Sequence, residues 1–288
     1  MDREDRVGAP VVLTIAGLDP SGGAGIIADI RTFIAFRCIP TAAVTSLTFQ
    51  NDRNIHGVVH QSGETVREQV FSIIAQHRVV AIKTGTLPTR EIIREVARLI
   101  REENLPAPVV DPVLKSSSGV ELMEEDAIEV LLNELMPHAR VITPNIPEAE
   151  RLSGVRIEDE EGMREAARKL RTMGARAVLI KGGHLPPGAQ ASCLLLNSAR
   201  DAGKLPALPA AAIDVLDNEG RVTVFRGEWI DSPPVRGTGC ILSSAIAACL
   251  AKGLKLEEAI DAAKSYVSGV IRRAERLTHN SSLIPHHS

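Results

Sequence analysis

Aromatic side chains are scarce in this sequence: five Phe, one Trp and one Tyr make up 2% of it. So few rings leave little on which successive bases could stack, which weighs against single-stranded nucleic acid as a partner. Cationic excess is lacking as well. The 33 Lys and Arg face 36 Asp and Glu, the formal net charge is -3, and no Lys/Arg block is present that would track a phosphate backbone. Only four cysteines occur, Cys38, Cys193, Cys240 and Cys249, with no CxxC pair. That scatter argues against a disulfide scaffold or a cysteine zinc site, and for reduced thiols in the cytoplasm. No run approaches the roughly 20 apolar residues needed to span a bilayer. Met1 to Pro10 mixes acids and bases and lacks the positive-then-apolar pattern of a secretory signal. The expectation is a soluble cytoplasmic protein with neither nucleic acid nor membrane among its partners.

What is present is core-forming material, 44% hydrophobic over 288 residues. The β-branched run Val11 to Ile15 predicts a buried strand. A glycine-rich turn, Gly17 to Gly25, follows it, and then a helical pattern through Ile26, Ile30, Phe33 and Ile34. Further strands are predicted at Ala42 to Leu47, Val79 to Lys83, Val109 to Asp111, Arg140 to Thr143 and Ala177 to Ile180. Helices are predicted near 64–77, 89–103, 124–136 and 159–173. This alternation implies a mainly parallel sheet covered on both faces. From 185 to 234 the rhythm changes, and short runs at Ala191 to Leu196, Ile213 to Leu216 and Arg221 to Phe225 predict antiparallel edge strands. Two helices close the chain, Cys240 to Ala251 and about Leu256 to Glu275. The domain expectation is a flexible segment over 1–10, one domain over 11–277 and a frayed tail over 278–288.

Candidate chemistry sits at the predicted strand ends. Gly237-Thr238-Gly239-Cys240 is a glycine turn opening a helix, where orphan amides favour an anion and the positive helix end would lower the Cys240 thiol pKa. Asp111 ends one strand; Asn145 and Glu148 follow another and suit hydrated magnesium between phosphates. Lys181 repeats the strand-end position with a cation for polyphosphate. Each has an ordinary reading too: a tight turn, a helix start, an early helical acid, a solvent-facing lysine.

Taken in order, the segments Thr14 to Gly25, Ile142 to Ala149, Ile180 to His184 and Gly237 to Ala248 resemble hydroxymethylpyrimidine kinase/phosphomethylpyrimidine kinase of thiamine biosynthesis, in the ribokinase-like superfamily. The resemblance runs from about Val11 to Arg273. It implies a three-layer α/β/α fold, a homodimer, and ATP-dependent phosphorylation of 4-amino-5-hydroxymethyl-2-methylpyrimidine and then its monophosphate, with Mg2+. By the same resemblance Ala24, Asp29, Gln50 and Val113 match pyrimidine-pocket positions, with Asp29 and Gln50 bonding the ring. Cys240 matches the proton acceptor, and Gly237, Thr238 and Gly239 complete the anion hole. Asn145 and Glu148 match the polyphosphate and magnesium motif, Asp111 supports the metal shell through water, and Lys181 matches a nucleotide-phosphate contact.

The sequence departs from the family pattern at several places. Thr86 stands where Met is usual, which predicts a wider or wetter pocket. Lys115 is shifted two places from the usual Lys, Arg236 replaces the His before the glycine turn, Ile241 replaces a Thr, and the section Gln190 to Ala212 is longer. These changes keep open a pyridoxal- or pyridoxine-type kinase and a non-catalytic pyrimidine-binding regulatory protein.

Overall fold

Runs of β-branched residues bounded by glycine turns form the strands of one sheet. The computed structural model describes residues 8–51, 54–116, 119–183, 211–228, 230 and 235–281. In chain order its elements are β1 (Val11–Leu18), α1 (Gly25–Ala35), β2 (Ile39–Gln50), β3 (Ile55–His60), α2 (Gly63–Ile74), β4 (Val79–Thr84), α3 (Arg90–Glu102), β5 (Val109–Val110), α4 (Glu125–Val130), β6 (Val141–Ile142), α5 (Ile146–Ser153), α6 (Glu160–Thr172), β7 (Ala177–Lys181), β8 (Ala211–Asn218), β9 (Arg221–Glu228), α7 (Thr238–Ala251) and α8 (Leu256–Ser281). The strand order is β3-β2-β1-β4-β5-β6-β7-β8-β9. Strands β2, β1, β4, β5, β6 and β7 are parallel; β3, β8 and β9 are antiparallel to their neighbours. All six parallel strands therefore present their carboxyl ends at one edge, where an open α/β sheet places its ligands.

Alternation along each strand divides the interior into two cores. In β7, Val178 and Ile180 join residues of α3, α5 and α6, while Ala177 and Leu179 join residues of α1, α7 and α8. The sheet is thus the middle of three layers. Each fully buried Leu or Ile contributes about 1.5–3 kcal/mol from removing apolar surface from water. Helix α3 shows how a covering helix is specified. Ile92, Ile93, Val96, Ala97, Leu99 and Ile100 line its buried face, and the Thr89 hydroxyl caps its start by accepting from the Ile92 amide at 3.3 Å. Helix α7 is apolar on nearly every side because it packs on the sheet and on both α1 and α8.

Several elements differ from the sequence expectation. Strand β3 was absent from it, because Ile55–His60 mixes His and Gly with Val and keeps much of its surface exposed on the sheet edge. Helix α5 lies outside the expected helix ranges, although the reading of Glu148 as an early helical acid implies a helix there; it is only eight residues long and starts on a proline-containing turn. The helix expected over 124–136 is α-helical only to Val130 and continues as a π-turn, Leu131–Leu135, and a 3₁₀ turn, Met136–His138. Helix α8 runs on to Ser281, past the expected start of the tail at 278. The expected strand Ala191 to Leu196, and all but the last two residues of the Gln190 to Ala212 section, lie outside the described residues, as do residues 1–7 and 282–288. Among the described residues no helix is long and apolar enough to cross a membrane.

Candidate active site

Two glycine turns meet at the carboxyl edge of the sheet. The turn after β1 crosses Gly22 and Gly25, both at positive φ (+78° and +57°), and a Cβ on Gly25 would fall 2.3 Å from the Gly17 carbonyl oxygen. The turn before α7 has Gly237 at φ +71°, and a Cβ there would fall 2.2 Å from the Gly23 carbonyl oxygen. Only glycine permits this contact. It brings the amino ends of α1 and α7 together, so their unpaired amides and positive dipole ends face one region. Asp19 fixes the first turn: its carboxylate accepts from the Ser21 amide (2.9 Å), the Ser21 hydroxyl (2.7 Å) and the Ala24 amide (2.9 Å). Burial opposes ionisation of Asp19, but the Ser21 and Gln50 hydrogen bonds and the Arg236 charge hold its pKa below the usual carboxylate value.

Beneath the turns lies a fully buried ion pair. Lys83, from β4, donates to both oxygens of Asp29, from α1, at 3.0 and 2.9 Å; neither side chain has any exposure. Thr14 and Ser244 hydroxyls donate to the same carboxylate at 2.6 and 2.7 Å. Burial alone would lower the Lys83 pKa, yet the Asp29 carboxylate raises it above its ordinary value. Gly85 lets the backbone pass over this lysine, since a Cβ there would lie 2.8 Å from its Nζ.

A second charged group stands at the ends of β5, β6 and β7. Lys181 donates to Asp111 at 2.9 Å, and Thr143 (3.2 Å) and Ser243 (3.3 Å) also donate to that carboxylate. Burial pushes the Asp111 pKa up, but Lys181 and Lys83 together bring it below the usual value. Gly239 presses against this pair: a Cβ would sit 3.2 Å from the Lys181 Nζ and 3.8 Å from Asp111 Oδ2. Asn145 bridges to Lys181 along the backbone and caps α5. Its side chain accepts from the Glu148 amide (2.9 Å), and Glu148 accepts from the Asn145 amide (2.8 Å), a reciprocal capping box. Burial, reinforced by nearby Asp111 and opposed by Lys181, pushes the Glu148 carboxyl up to about 7.

Cys240, in the first turn of α7, feels the charges of Lys83, Asp111 and Asp29 in this floor. It keeps some exposed surface, but loss of hydration pushes its pKa up to about 11, with Asp111 and Asp29 adding to the rise and Lys83 and the Gly25 amide opposing it. The helix terminus favours the thiolate, but loss of hydration and two carboxylates outweigh the dipole. Among the described residues no group of three or more His, Cys, Asp and Glu is arranged to hold a metal. Asp111 and Glu148 remain as a pair of hard oxygen donors. Their number suits magnesium, which keeps most of its waters and takes one or two carboxylates plus phosphate oxygens.

Residues 19–285 match the family described as phosphomethylpyrimidine kinase. The chain belongs to that family. Like its relatives it is a kinase-fold phosphotransferase with a ribokinase-like three-layer architecture. It is 39% identical to the hydroxymethylpyrimidine/phosphomethylpyrimidine kinase of Streptomyces coelicolor, over 91% of this chain and 88% of that one. It is 38% identical, over 96% of its own length, to the thiamine biosynthesis bifunctional protein ThiED of Geobacter sulfurreducens, of which it spans 52%. The crystal structure of an ADP complex of Bacillus subtilis pyridoxal kinase superposes with a TM-score of 0.76 at 36% identity, covering 91% of each chain.

In this kinase the phosphate-side candidates gather in one place: Asp111, Asn145, Glu148, Lys181, Gly239 and Cys240. Of the ring-side candidates, Ala24 is the α1 N-cap, Gln50 ends β2 beside Asp19, Thr86 follows β4, and Val113 follows Asp111; all four keep partial exposure. Asp29 departs from its expected part. Its oxygens are filled by Lys83, Thr14 and Ser244 and it has no exposed surface, so it supports the floor of the site instead of bonding the ring. Lys115 points away to an exposed pair with Glu121 at 2.7 Å. Sequence reasoning missed Lys83, Asp19 and Ser244 as site residues. Lysine inside the strand run Val79 to Thr84 was the available signal, since a cation there must find a buried partner.

Proposed function

We propose that this chain uses ATP and magnesium to phosphorylate 4-amino-5-hydroxymethyl-2-methylpyrimidine and then its monophosphate. The observation that carries the reading is the convergence of Gly239, Lys181, Asp111 and Cys240 where two helix amino ends meet. The turn Gly237 to Cys240 offers amides to the transferring phosphoryl group, and Lys181 offers a cation to nucleotide phosphate. Gln50, Ala24, Thr86 and Val113 line the ring side. The alcohol oxygen forms the new bond to the γ-phosphorus, the bond to the bridging oxygen breaks, and ADP departs with that electron pair. Cys240, as thiolate, takes the hydroxyl proton. Glu148 would hold magnesium, with Asp111, whose oxygens already accept from Lys181, Thr143 and Ser243, supporting the metal shell through water; when bound the ion would draw charge from the phosphate oxygens.

Residues 11–277 act as a single kinase domain, a reading supported by the membership of all nine strands among the described residues in one sheet. The active form is a homodimer. Leu47, Phe49 and Val59 support this: they are 37%, 55% and 47% exposed and form one apolar face of the β2–β3 ribbon. The kinase works in the cytoplasm, in keeping with Cys38, Cys240 and Cys249 as free thiols.

The decisive experiment measures ADP release with the pyrimidine alcohol, its monophosphate and pyridoxal as alternative acceptors. Turnover of both pyrimidines is the expected result. A second reading, pyridoxal phosphorylation, is favoured by Thr86, a short polar side chain beside Gly17 where the family carries Met, and by the similarity to a pyridoxal kinase. Efficient turnover of pyridoxal with both pyrimidines inert would replace the first reading with the second. Pyrimidine binding by calorimetry with no ADP formed would instead make the chain a binding protein.

A further inference from the structure

Arg236 precedes the α7 turn and reaches across the mouth of the site. Its Nη1 donates to the Ser21 hydroxyl and to the Asn51 carbonyl, each at 3.1 Å, and its Nη2 donates to Asp19 at 3.3 Å. Those acceptors belong to two other segments: the glycine turn after β1 and the end of β2, next to Gln50. The guanidinium also lies over Gly23, where a Cβ would be 3.6 Å from both Arg236 Cβ and Nη1. Asp19 is only 3% exposed at its side chain and ties the same cation to the Ala24 amide at the start of α1. A planar fork can serve these acceptors together; a lysine ammonium is a point charge and an imidazole carries at most two N–H groups.

We propose that Arg236 is a positioning residue that locks the ring-side end of β2 and the glycine turn of α1 onto the anion-binding turn of α7. The role rests on the kinase reading above. Arg236 adjoins Gly237, whose backbone already touches Gly23, so the guanidinium closes a second link across the same junction. Holding both reactants in register through one side chain makes ring placement and phosphoryl placement interdependent, and small displacements at such a junction are costly in rate. The Asp19 charge neutralises the guanidinium, which favours positioning over direct capture of phosphate.

The test compares parent, Arg236→Ala and Arg236→Lys by steady-state kinetics, thermal unfolding and amide hydrogen exchange. Arg236→Ala is expected to lower kcat with the pyrimidine alcohol by about tenfold or more and to raise the alcohol KM. Exchange should quicken at Ser21 to Ala24 and at Ile241 but not in α3. Arg236→Lys should recover little of either effect, and if the alanine variant fails to fold, the lysine variant carries the test. Combining Arg236→Ala with Ser21→Ala should cost less than the product of the two single losses, because both remove one contact. Values of kcat, KM and loop exchange within twofold of the parent, or fully multiplicative losses, would overturn the proposal. A parent that releases no ADP with any acceptor defeats the kinase reading alone, and the exchange measurement then decides the lock by itself.

Discussion

Gly237 sits against the carbonyl of Gly23 with no space for a side chain between them: a Cβ at 237 would fall 2.2 Å from that oxygen. This contact sets the distance between the amino ends of α1 and α7, and with it the shape of the turn proposed to hold the transferring phosphoryl group. Gly237→Ala must relieve both the overlap and the left-handed φ of +71°, the latter alone costing about 1–2 kcal/mol. The expected outcome is a loss of stability beyond that figure and a fall in kcat on the order of 10²-fold from the displaced turn. Gly253→Ala is the control, since Gly253 also has positive φ (+83°) but meets nothing within 4 Å. It should show the backbone strain and leave kcat near the parent value. Equal effects of the two variants on kcat would separate the Gly237 contact from catalysis.

The buried pair beneath the turns makes a different prediction. Lys83→Met leaves the Asp29 carboxylate without its cation in a site closed to water, and breaking such a pair from one side costs about 3–5 kcal/mol. Lys83→Met combined with Asp29→Leu should regain part of that loss, because no isolated charge remains. Urea unfolding curves of the three variants would show this order. A Lys83→Met protein within about 1 kcal/mol of the parent would mean that the pair carries no such weight.

Glu148 gives a pH signature. Burial, with Asp111 adding to it, raises the carboxyl to about 7, and only the ionised form can bind magnesium. Affinity for magnesium should therefore be about half its full value near pH 7, rise to full about one unit above that, and weaken below it, approaching about tenfold per unit. Glu148→Gln keeps an oxygen to accept the Asn145 amide, so α5 stays capped, but it should weaken metal-dependent turnover and flatten the pH dependence. Magnesium titrations of ADP release at about pH 6 and about pH 8 check both statements. An unchanged magnesium requirement in Glu148→Gln would remove this residue from the metal site.

Much of this arrangement was legible in the sequence because it depends on local pattern. Strand β1, its glycine turn and α1 follow from β-branched residues, glycines and a 3.6-residue period, and β7 ending at Lys181 follows from the run Ala177 to Ile180. Asp111 and Lys181 were placed at strand ends by the same logic. The pairing of Asp29 with Lys83 was not legible, because the residues are 54 positions apart and meet only when β4 lies beside β1. The family position alone suggests a ring contact for Asp29. The net Cys240 pKa is not legible in the sequence for a related reason. The helix terminus is a local feature, whereas desolvation and the neighbouring Asp111 and Asp29 come from distant parts of the chain. Strand β3 escaped because an exposed edge strand carries little of the apolar alternation that marks a buried one.

Cys240 carries the sharpest prediction, because its raised pKa fixes the form of the rate profile. With a pKa of about 11, only about one thiol in 10⁴ is ionised near neutrality. If the thiolate takes the proton from the attacking hydroxyl, kcat should rise close to tenfold per pH unit across the alkaline range and level off only near that pKa. Nucleotide phosphates bound nearby add negative charge and move the plateau further up, never down. Cys240→Ser keeps the size and backbone of the site but offers no base in this range, so kcat should fall by about 10²- to 10⁴-fold and the slope should vanish. Cys240→Asp supplies a carboxylate that is ionised far below the thiol pKa, and it should restore part of the rate with a flat profile near neutrality. Alkylation of Cys240 followed by mass spectrometry reads the thiolate independently of turnover, and Cys38 and Cys249 are buried comparators in the same molecule. The expected result is slow modification at neutral pH that quickens with pH in step with kcat. A Cys240→Ser enzyme that keeps the parent rate and the parent slope would assign proton transfer to another group and leave Cys240 a packing residue at the start of α7.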